Sequence, residues 1–141
     1  MKAEFPSKII DFINEHHVLT LATAVDNVPW CANCFYVFDA SELSFIFSTD
    51  IETKHGKQAL LNAKVAASIV LETETIGKIQ GVQLQGNICL SEGDFAKKAK
   101  KLYLKRFPYA ILAKTTLWKL TITYAKLTDN RLGFGTKLIW E

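Results

Sequence analysis

Short segments with a β-strand pattern, separated by turn residues, constrain this chain to an architecture built mainly from strands. Three such segments, rich in β-branched and small residues, run from Val18 to Val25, Trp30 to Phe38 and Leu43 to Ser48. Turn-forming residues join them at Asp26-Asn27 and at Asp39 to Glu42. The first third of the sequence therefore predicts a three-stranded meander.

The strand pattern resumes after one short amphipathic helix, which is predicted from about Thr53 to Asn62. Two strands follow, from Val65 to Leu71 and from Lys78 to Leu90. The second of them contains Gly81 and Gly86, which indicate bends or bulges. Repeated β-structure with one inserted helix predicts a barrel.

Further elements flank this central region. A helix around Ile9 to Ile13 is predicted before the first strand, and an amphipathic helix from Asp94 to Phe107 should end because Pro108 follows. Trp118 to Leu127 alternates apolar and polar residues like a half-buried strand, and a last segment covers Leu138 to Trp140. The apolar positions of that alternation are Trp118, Leu120, Ile122 and Tyr124.

Size and composition narrow the functional classes. With 141 residues and 49% hydrophobic content, the chain fits one domain, residues 1–141, with a substantial core. Its apolar runs fall short of the ~20 residues of a membrane-spanning helix, and its first residues lack a signal peptide's apolar region. Lys and Arg outnumber Asp and Glu by only 17 to 14, without an aromatic–basic pattern. We therefore predict a cytoplasmic protein that binds neither membrane nor nucleic acid.

The three cysteines favour a reducing compartment, because an odd number cannot pair completely within one chain. Cys31 and Cys34 have the C-x-x-C spacing of redox and zinc sites. They lie in a strand pattern, however, where side chains three positions apart face opposite sides. We predict neither a dithiol site nor a metal site.

The segment between Leu43 and Leu71 carries hydroxyl groups and a cation between a strand and the start of a helix. These residues are Ser48, Thr49, Thr53 and Lys54. Because a helix N-terminus favours anions, the segment predicts a site for a phosphate-bearing ligand. The alternative is purely structural: Thr49 and Glu52 have the spacing of a capping box. The nearby carboxylates of Asp50 and Glu52 oppose anion binding.

The order of these elements, together with several short motifs, resembles a known family. The motifs are Trp30-Cys31-Ala32-Asn33 followed by Phe35-Tyr36, Arg106-Phe107-Pro108, Thr128-Asp129-Asn130, Leu132-Gly133-Phe134-Gly135 and Trp140. The chain resembles the YhbP family within the pyridoxamine 5′-phosphate oxidase-like superfamily of FMN-binding split-barrel proteins. This likeness covers nearly the whole chain.

The resemblance implies a mainly β (α+β) fold: a six-stranded antiparallel split β-barrel with a few flanking helices. It also implies a homodimer with FMN in a groove between the subunits. The implied cofactor-binding positions are Asn33, Cys34, Phe35, Tyr36, Phe47, Ser48, Thr53, Lys54 and Gln83. Many flavin-binding relatives carry a basic residue at the position of Ala32, so one phosphate charge is absent here. Lys54 matches the family's phosphate-binding basic residue.

Two functions are compatible with this resemblance. The first is an FMN-dependent oxidoreductase acting on an unidentified small molecule, and the second is a non-catalytic dimer that stores or senses flavin or haem. No proton-transfer residue stands out, since His55 on the predicted helix has the features of an exposed or structural histidine. Gly133 and Gly135 predict positive φ angles or close backbone approach. Phe134 and Trp140 are predicted to pack against the partner chain.

Overall fold

The computed structural model describes residues 2–112 and 116–141, which form three helices and seven strands. The helices are α1 (Ser7–Glu15), α2 (Lys54–Leu61) and α3 (Asp94–Arg106). The strands are β1 (Val18–Val25), β2 (Val28–Asp39), β3 (Ser44–Ser48), β4 (Lys64–Val70), β5 (Gln80–Leu90), β6 (Leu117–Asp129) and β7 (Lys137–Trp140). Each element coincides with a predicted segment to within a few residues.

Six strands close into a ring. Neighbours pair in the order β3-β2-β1-β4-β5-β6, and β6 pairs back onto β3, with every pairing antiparallel. β7 pairs with β6 over Ala125 to Thr128, beyond the stretch of β6 that contacts β3. The predicted six-stranded antiparallel barrel is therefore confirmed. β7 lies outside the ring and pairs only with the C-terminal part of β6.

The interior of the ring is the main hydrophobic core, and α1 closes one end of it. Apolar residues at every second position of the strands face inward, as the two-residue period of a strand requires. On α1 the buried residues Ile9, Phe12 and Ile13 have helical spacing, so one face of the helix packs on the core. The hydroxyl of Tyr36 donates a hydrogen bond of 2.5 Å to the carbonyl of Ile13, which fixes α1 against β2.

A bulge interrupts the pairing of β5 with β6. Gln85 pairs with Tyr124 while Gly86 pairs with Ile122, so Thr123 has no partner on β5. A Cβ atom on Gly86 would lie 2.4 Å from the carbonyl oxygen of Thr121, so only glycine fits there. The predicted bulge at Gly86 is confirmed. The bulge also moves Tyr124 to the outer face, so the predicted inward position of Tyr124 is wrong.

A second, smaller core lies outside the barrel, under α3. Ala99 and Tyr103 of α3 pack against Ile46 of β3, and Val37 of β2 lies at the margin of this cluster. The helix ends at Arg106, before Pro108, as predicted. α3 therefore covers the outer face of β2 only near the strand's C-terminal end.

The C-terminal hairpin differs in one respect from the prediction. Gly133 and Gly135 adopt positive φ angles of 129° and 71°, as predicted. Trp140, in contrast, is buried in its own chain, where its indole nitrogen donates 2.8 Å to the carbonyl of Ala3 and its ring contacts Phe5. The predicted packing of Trp140 against a partner chain is therefore wrong. Within the described residues, no helix is long and apolar enough to cross a membrane.

Candidate functional site

The N-terminus of α2 is built by Thr53, not by the predicted pair of Thr49 and Glu52. The Thr53 hydroxyl accepts a hydrogen bond of 3.1 Å from the Gly56 amide and donates one of 2.7 Å to the carbonyl of Asp50. The Glu52 amide instead donates to the Asp50 side chain at 2.8 Å, in a turn preceding the helix. The capping-box prediction is wrong, and the Thr53 hydroxyl already has two partners.

Thr49 and His55 form a second contact at this end of the helix. The Thr49 hydroxyl is in short hydrogen-bond contact with Nε2 of His55, and the Thr49 carbonyl accepts 3.0 Å from the indole nitrogen of Trp118. Burial lowers the pKa of His55 from its ordinary value, because it disfavours the charged imidazolium. Both groups are therefore engaged in holding α2 on the barrel.

Lys54, the first residue of α2, has its amine 4.2 Å from the centroid of the Trp30 ring. The Trp30 side chain is 44% exposed, so one part of the ring remains open to solvent. Among the described residues Lys54 forms no ion pair, whereas Lys57 lies 3.6 Å from the Glu52 carboxylate. Lys54 is thus a cation whose main contact is an aromatic face.

A surface cavity of about 460 Å³ adjoins Lys54. Its lining residues are Val25, Glu52, Lys54, Lys57, Gln58 and Leu61. The Gln58 side chain accepts a hydrogen bond of 2.6 Å from the buried Thr23 hydroxyl, which ties this part of α2 to β1. The cavity holds two lysines and one carboxylate, so its net charge favours an anion modestly.

The four predicted positions on β2 divide between two faces. Asn33 and Phe35 point outward and are exposed, whereas Cys34 and Tyr36 are buried in the core. Burial raises the pKa of the Cys34 thiol to about 11, so it remains protonated near neutral pH. Cys31 is exposed on the other side of the strand, which confirms that the C-x-x-C pair does not converge.

The remaining predicted positions are more scattered. Phe47 is fully buried, whereas Ser48 is half-buried at the end of β3 and has no side-chain hydrogen bond within the described part of the chain. Gln83 is exposed on the outer face of β5. Pairing registers place it in one row with Ser68, Thr20 and Asn33, so three strand spacings, about 14 Å, separate Gln83 from Asn33.

These positions fit a phosphorylated aromatic ligand in part. A cation and a partly open aromatic face meet at Lys54 and Trp30, and the Ser48 hydroxyl at the end of β3 has no side-chain partner among the described residues. The hydroxyls of Thr49 and Thr53 are already bonded, and the half-buried Ala32 supplies no charge. Trp30 was missed as a candidate position because nothing in the strand pattern distinguishes a ligand-facing aromatic residue from a core residue.

Comparisons with known proteins agree with this fold. Residues 5–129 match a family described as pyridoxamine 5′-phosphate oxidase. A UPF0306 protein of Photorhabdus laumondii subsp. laumondii is 43% identical over 130 residues, covering 92% of this chain and 91% of that protein.

Two solved structures share the architecture at low sequence identity. A haem-binding protein from Mycobacterium smegmatis superposes with a TM-score of 0.78 at 18% identity, covering 97% of this chain but only 59% of that protein. An FAD-binding protein from the same species superposes with a TM-score of 0.70 at 16% identity, covering 90% of this chain and 95% of that protein. At such identities the likeness establishes the fold alone.

Proposed function

The chain belongs to the pyridoxamine 5′-phosphate oxidase family and is related within it to the UPF0306 proteins, and from that premise we propose that it binds FMN as a homodimer. The ligand groove lies between the subunits and includes the region around β2 and the start of α2. The bound flavin serves an oxidoreductase reaction on a small molecule. The three free cysteines are compatible with function in the cytoplasm.

The observation that carries this proposal is the pair formed by Lys54 and Trp30. A cation held over an aromatic face, at the start of a helix and beside an open cavity, suits a ligand that combines a phosphate with a flat ring system. Lys54 would neutralise the phosphate, and the Ser48 hydroxyl would donate a hydrogen bond to it. Asn33 and Phe35 lie on the opposite side of β2 from Trp30, so they would meet the ring only where the ligand extends to the outer face of the strand.

A bound flavin supplies hydride or single-electron transfer, while the protein sets its orientation and its access to solvent. The exposed face of β2 leaves one side of such a ring open to a second molecule. The buried positions Cys34, Tyr36 and Phe47 would contribute only through their backbone groups and by keeping the strands in place. Gln83 would contact the ligand only if the groove extends over the outer face of β5, where its side chain is exposed.

A second candidate is a non-catalytic flavin or haem carrier. The polar side chains near α2 favour this candidate, because Thr49, Thr53 and His55 already make hydrogen bonds within the protein. That leaves no evident proton-transfer group among the described residues of the site. The haem-binding and FAD-binding neighbours make either ligand a reasonable one to test.

The first experiment is a visible absorption spectrum of the purified protein before and after incubation with FMN and removal of free ligand. A retained, stoichiometric flavin spectrum is expected. The Lys54→Ala variant should bind FMN about 10- to 100-fold more weakly, as expected for a hydrogen bond to a charged group. Lys57→Ala is the matched control, because Lys57 already pairs with Glu52 and should change affinity little.

Unchanged FMN affinity in Lys54→Ala would contradict the assigned phosphate position. A protein that stays colourless with FMN but takes up haem would support the carrier. Steady oxidation of reduced nicotinamide by the FMN-loaded protein would support the oxidoreductase, whereas tight flavin binding without turnover would favour storage or sensing.

A further inference from the structure

A groove between α1 and the C-terminal strands lies apart from the β2–α2 region and shares no lining residue with it. We call it the α1–β7 groove. Its larger part has a volume of about 430 Å³, and an adjoining part has about 200 Å³. Both parts are lined by Lys8, Leu127, Asp129 and Leu132. The larger volume alone is within the range of small-molecule sites.

Lys8 and Lys137 line the larger part. Lys8 and Lys137 form no ion pair within residues 2–112 and 116–141. The buried carboxylate of Asp129 is already occupied, because Arg131 donates to its two oxygens at 3.0 and 2.9 Å. An anion in the larger part would therefore meet two positive charges without a competing free carboxylate.

The start of α1 adds to this positive character. Pro6 precedes the helix and provides no side-chain cap. The amides of Ile9 and Ile10 bond to the Pro6 carbonyl, whereas those of Ser7 and Lys8 have no acceptor among the described residues. These two amides lie at the positive end of the helix dipole and on the wall of the groove.

Gln80 contributes an amide side chain to the wall of the adjoining part. Its side chain is only 8% exposed, and its register partner across the sheet is Asp129. The amide nitrogen makes one long contact of 3.4 Å to the carbonyl of Lys78, and the side-chain oxygen has no donor in the described part of the chain. This oxygen keeps contact with solvent in the adjoining part, so it is open to a donor from a ligand there.

The floor and the far end of the groove restrict the ligand further. Leu127, Leu132 and Leu138 line the larger part and offer an apolar surface. Asp11 and Glu15 line the adjoining part, where they would repel a second anionic group. The ligand should therefore be charged at one end only.

We infer that the α1–β7 groove binds an organic monocarboxylate with an apolar body. Its carboxylate pairs with Lys8, Lys137 and the first amides of α1. Its carbon chain covers the three leucines, and a hydrogen-bond donor at the far end satisfies Gln80. This site is separate from the proposed flavin site and does not depend on flavin binding.

The test uses octanoate, at concentrations below its aggregation limit, and 1-octanol as the uncharged probe of equal chain length. Amide chemical shifts of the full chain are followed by NMR during titration. Saturable shifts are expected at Ser7, Lys8 and Leu138, with octanol binding at least tenfold more weakly. The Lys8→Glu/Lys137→Glu double variant should lose at least tenfold in octanoate affinity.

The matched control is Lys100→Glu/Lys101→Glu, which makes the same charge change on the exposed side of α3 and should leave affinity unchanged. Leu132→Ser, at an exposed position, should weaken octanoate binding without unfolding the protein. If the double charge reversal does not fold, Lys8→Gln/Lys137→Gln replaces it.

Equal affinity for octanol, shifts centred elsewhere, absence of saturation, or full affinity in a folded lysine variant would each overturn the inference. The FMN spectrum should not change in any of these variants.

Discussion

The two faces of β2 contact different surroundings, although their residues alternate along one strand. On the inner face, Cys34 and Tyr36 are surrounded by the barrel core. On the outer face, Asn33 and Phe35 are exposed, and the Phe35 side chain retains 57% of its accessible surface. The outer face closes only near Asp39, where α3 covers it. The four consecutive residues that the family resemblance implies as cofactor-binding positions are therefore divided between two surroundings.

The largest effect should come from truncating the inner face. Tyr36→Ala removes a fully buried ring that packs edge-on against Phe45 at 5.0 Å, and it removes one of the two donors to the Ile13 carbonyl, which also accepts from the His16 amide. We expect a loss of about 3–5 kcal/mol in the free energy of unfolding, measured by urea denaturation. Phe35→Ala on the outer face should cost about 0.5 kcal/mol. Equal costs for the two variants would refute the distinction between the faces.

An intermediate effect is expected where α3 covers the outer face. Asp39 is buried, accepts hydrogen bonds from the backbone and hydroxyl of Ser41, and lies 2.7 Å from the Lys98 ammonium. Burial raises the pKa of the Asp39 carboxyl, but Lys98 and Ser41 lower it more, so its pKa is below the ordinary value. Asp39→Asn should lose about 1 kcal/mol at pH 7, since the half-exposed Lys98 is screened by solvent.

The pH dependence follows from the direction of that shift. Because the folded state binds the proton of Asp39 less tightly than the unfolded state, the stabilisation is complete above the unfolded pKa of about 3.9. It is lost as the pH falls below that value through the folded pKa. The difference in unfolding free energy between the wild type and Asp39→Asn should therefore shrink on acidification. A difference that stays constant down to pH 2 would show that Lys98 does not act through charge.

The smallest effect concerns the open end of β2 beside α2. Trp30→Ala removes the aromatic face under Lys54, a contact worth about 0.5–1 kcal/mol at an exposed position. We expect FMN affinity, measured by flavin fluorescence quenching, to fall about three- to fivefold. Val28→Ala, at an exposed position two residues earlier, is the control and should bind normally. Tighter FMN binding in Trp30→Ala would show that the ring blocks the groove instead of lining it.

The sequence predicted the strands well because alternation is a local signal. Val18 to Val25 was predicted with its observed bounds, and Gly86 marked the bulge correctly. Tyr124 was assigned to the wrong face because the extra residue at Thr123 shifts the alternation, and a single sequence does not show where an unpaired residue falls. Trp140 was assigned to a partner because its contacts, Phe5 and Ala3, lie at the opposite end of the chain.

The candidate site was harder to predict than the strands, because hydrogen-bond partners within the site are not visible in the sequence. The sequence places Thr49, Thr53 and Lys54 within six positions, but it does not show which hydroxyls are already bonded. In the folded chain Asp50 accepts from Thr53, and His55 contacts Thr49, so the polar residues satisfy one another. The contact of Trp30 with Lys54 joins residues from two elements, so neither local pattern indicates it.

Because Thr123 has no partner on β5, insertions and deletions in β6 have different consequences from those in a regular strand. Inward positions fall on even numbers up to Ile122 and on odd numbers from Ala125 onward, because the extra residue resets the count. Deleting one residue between Thr121 and Tyr124 would either remove the bulge or turn the rest of the strand over, which would move Leu127 to solvent. Length variation is therefore more readily accommodated in the 133–136 turn, where the chain is exposed, than in this strand.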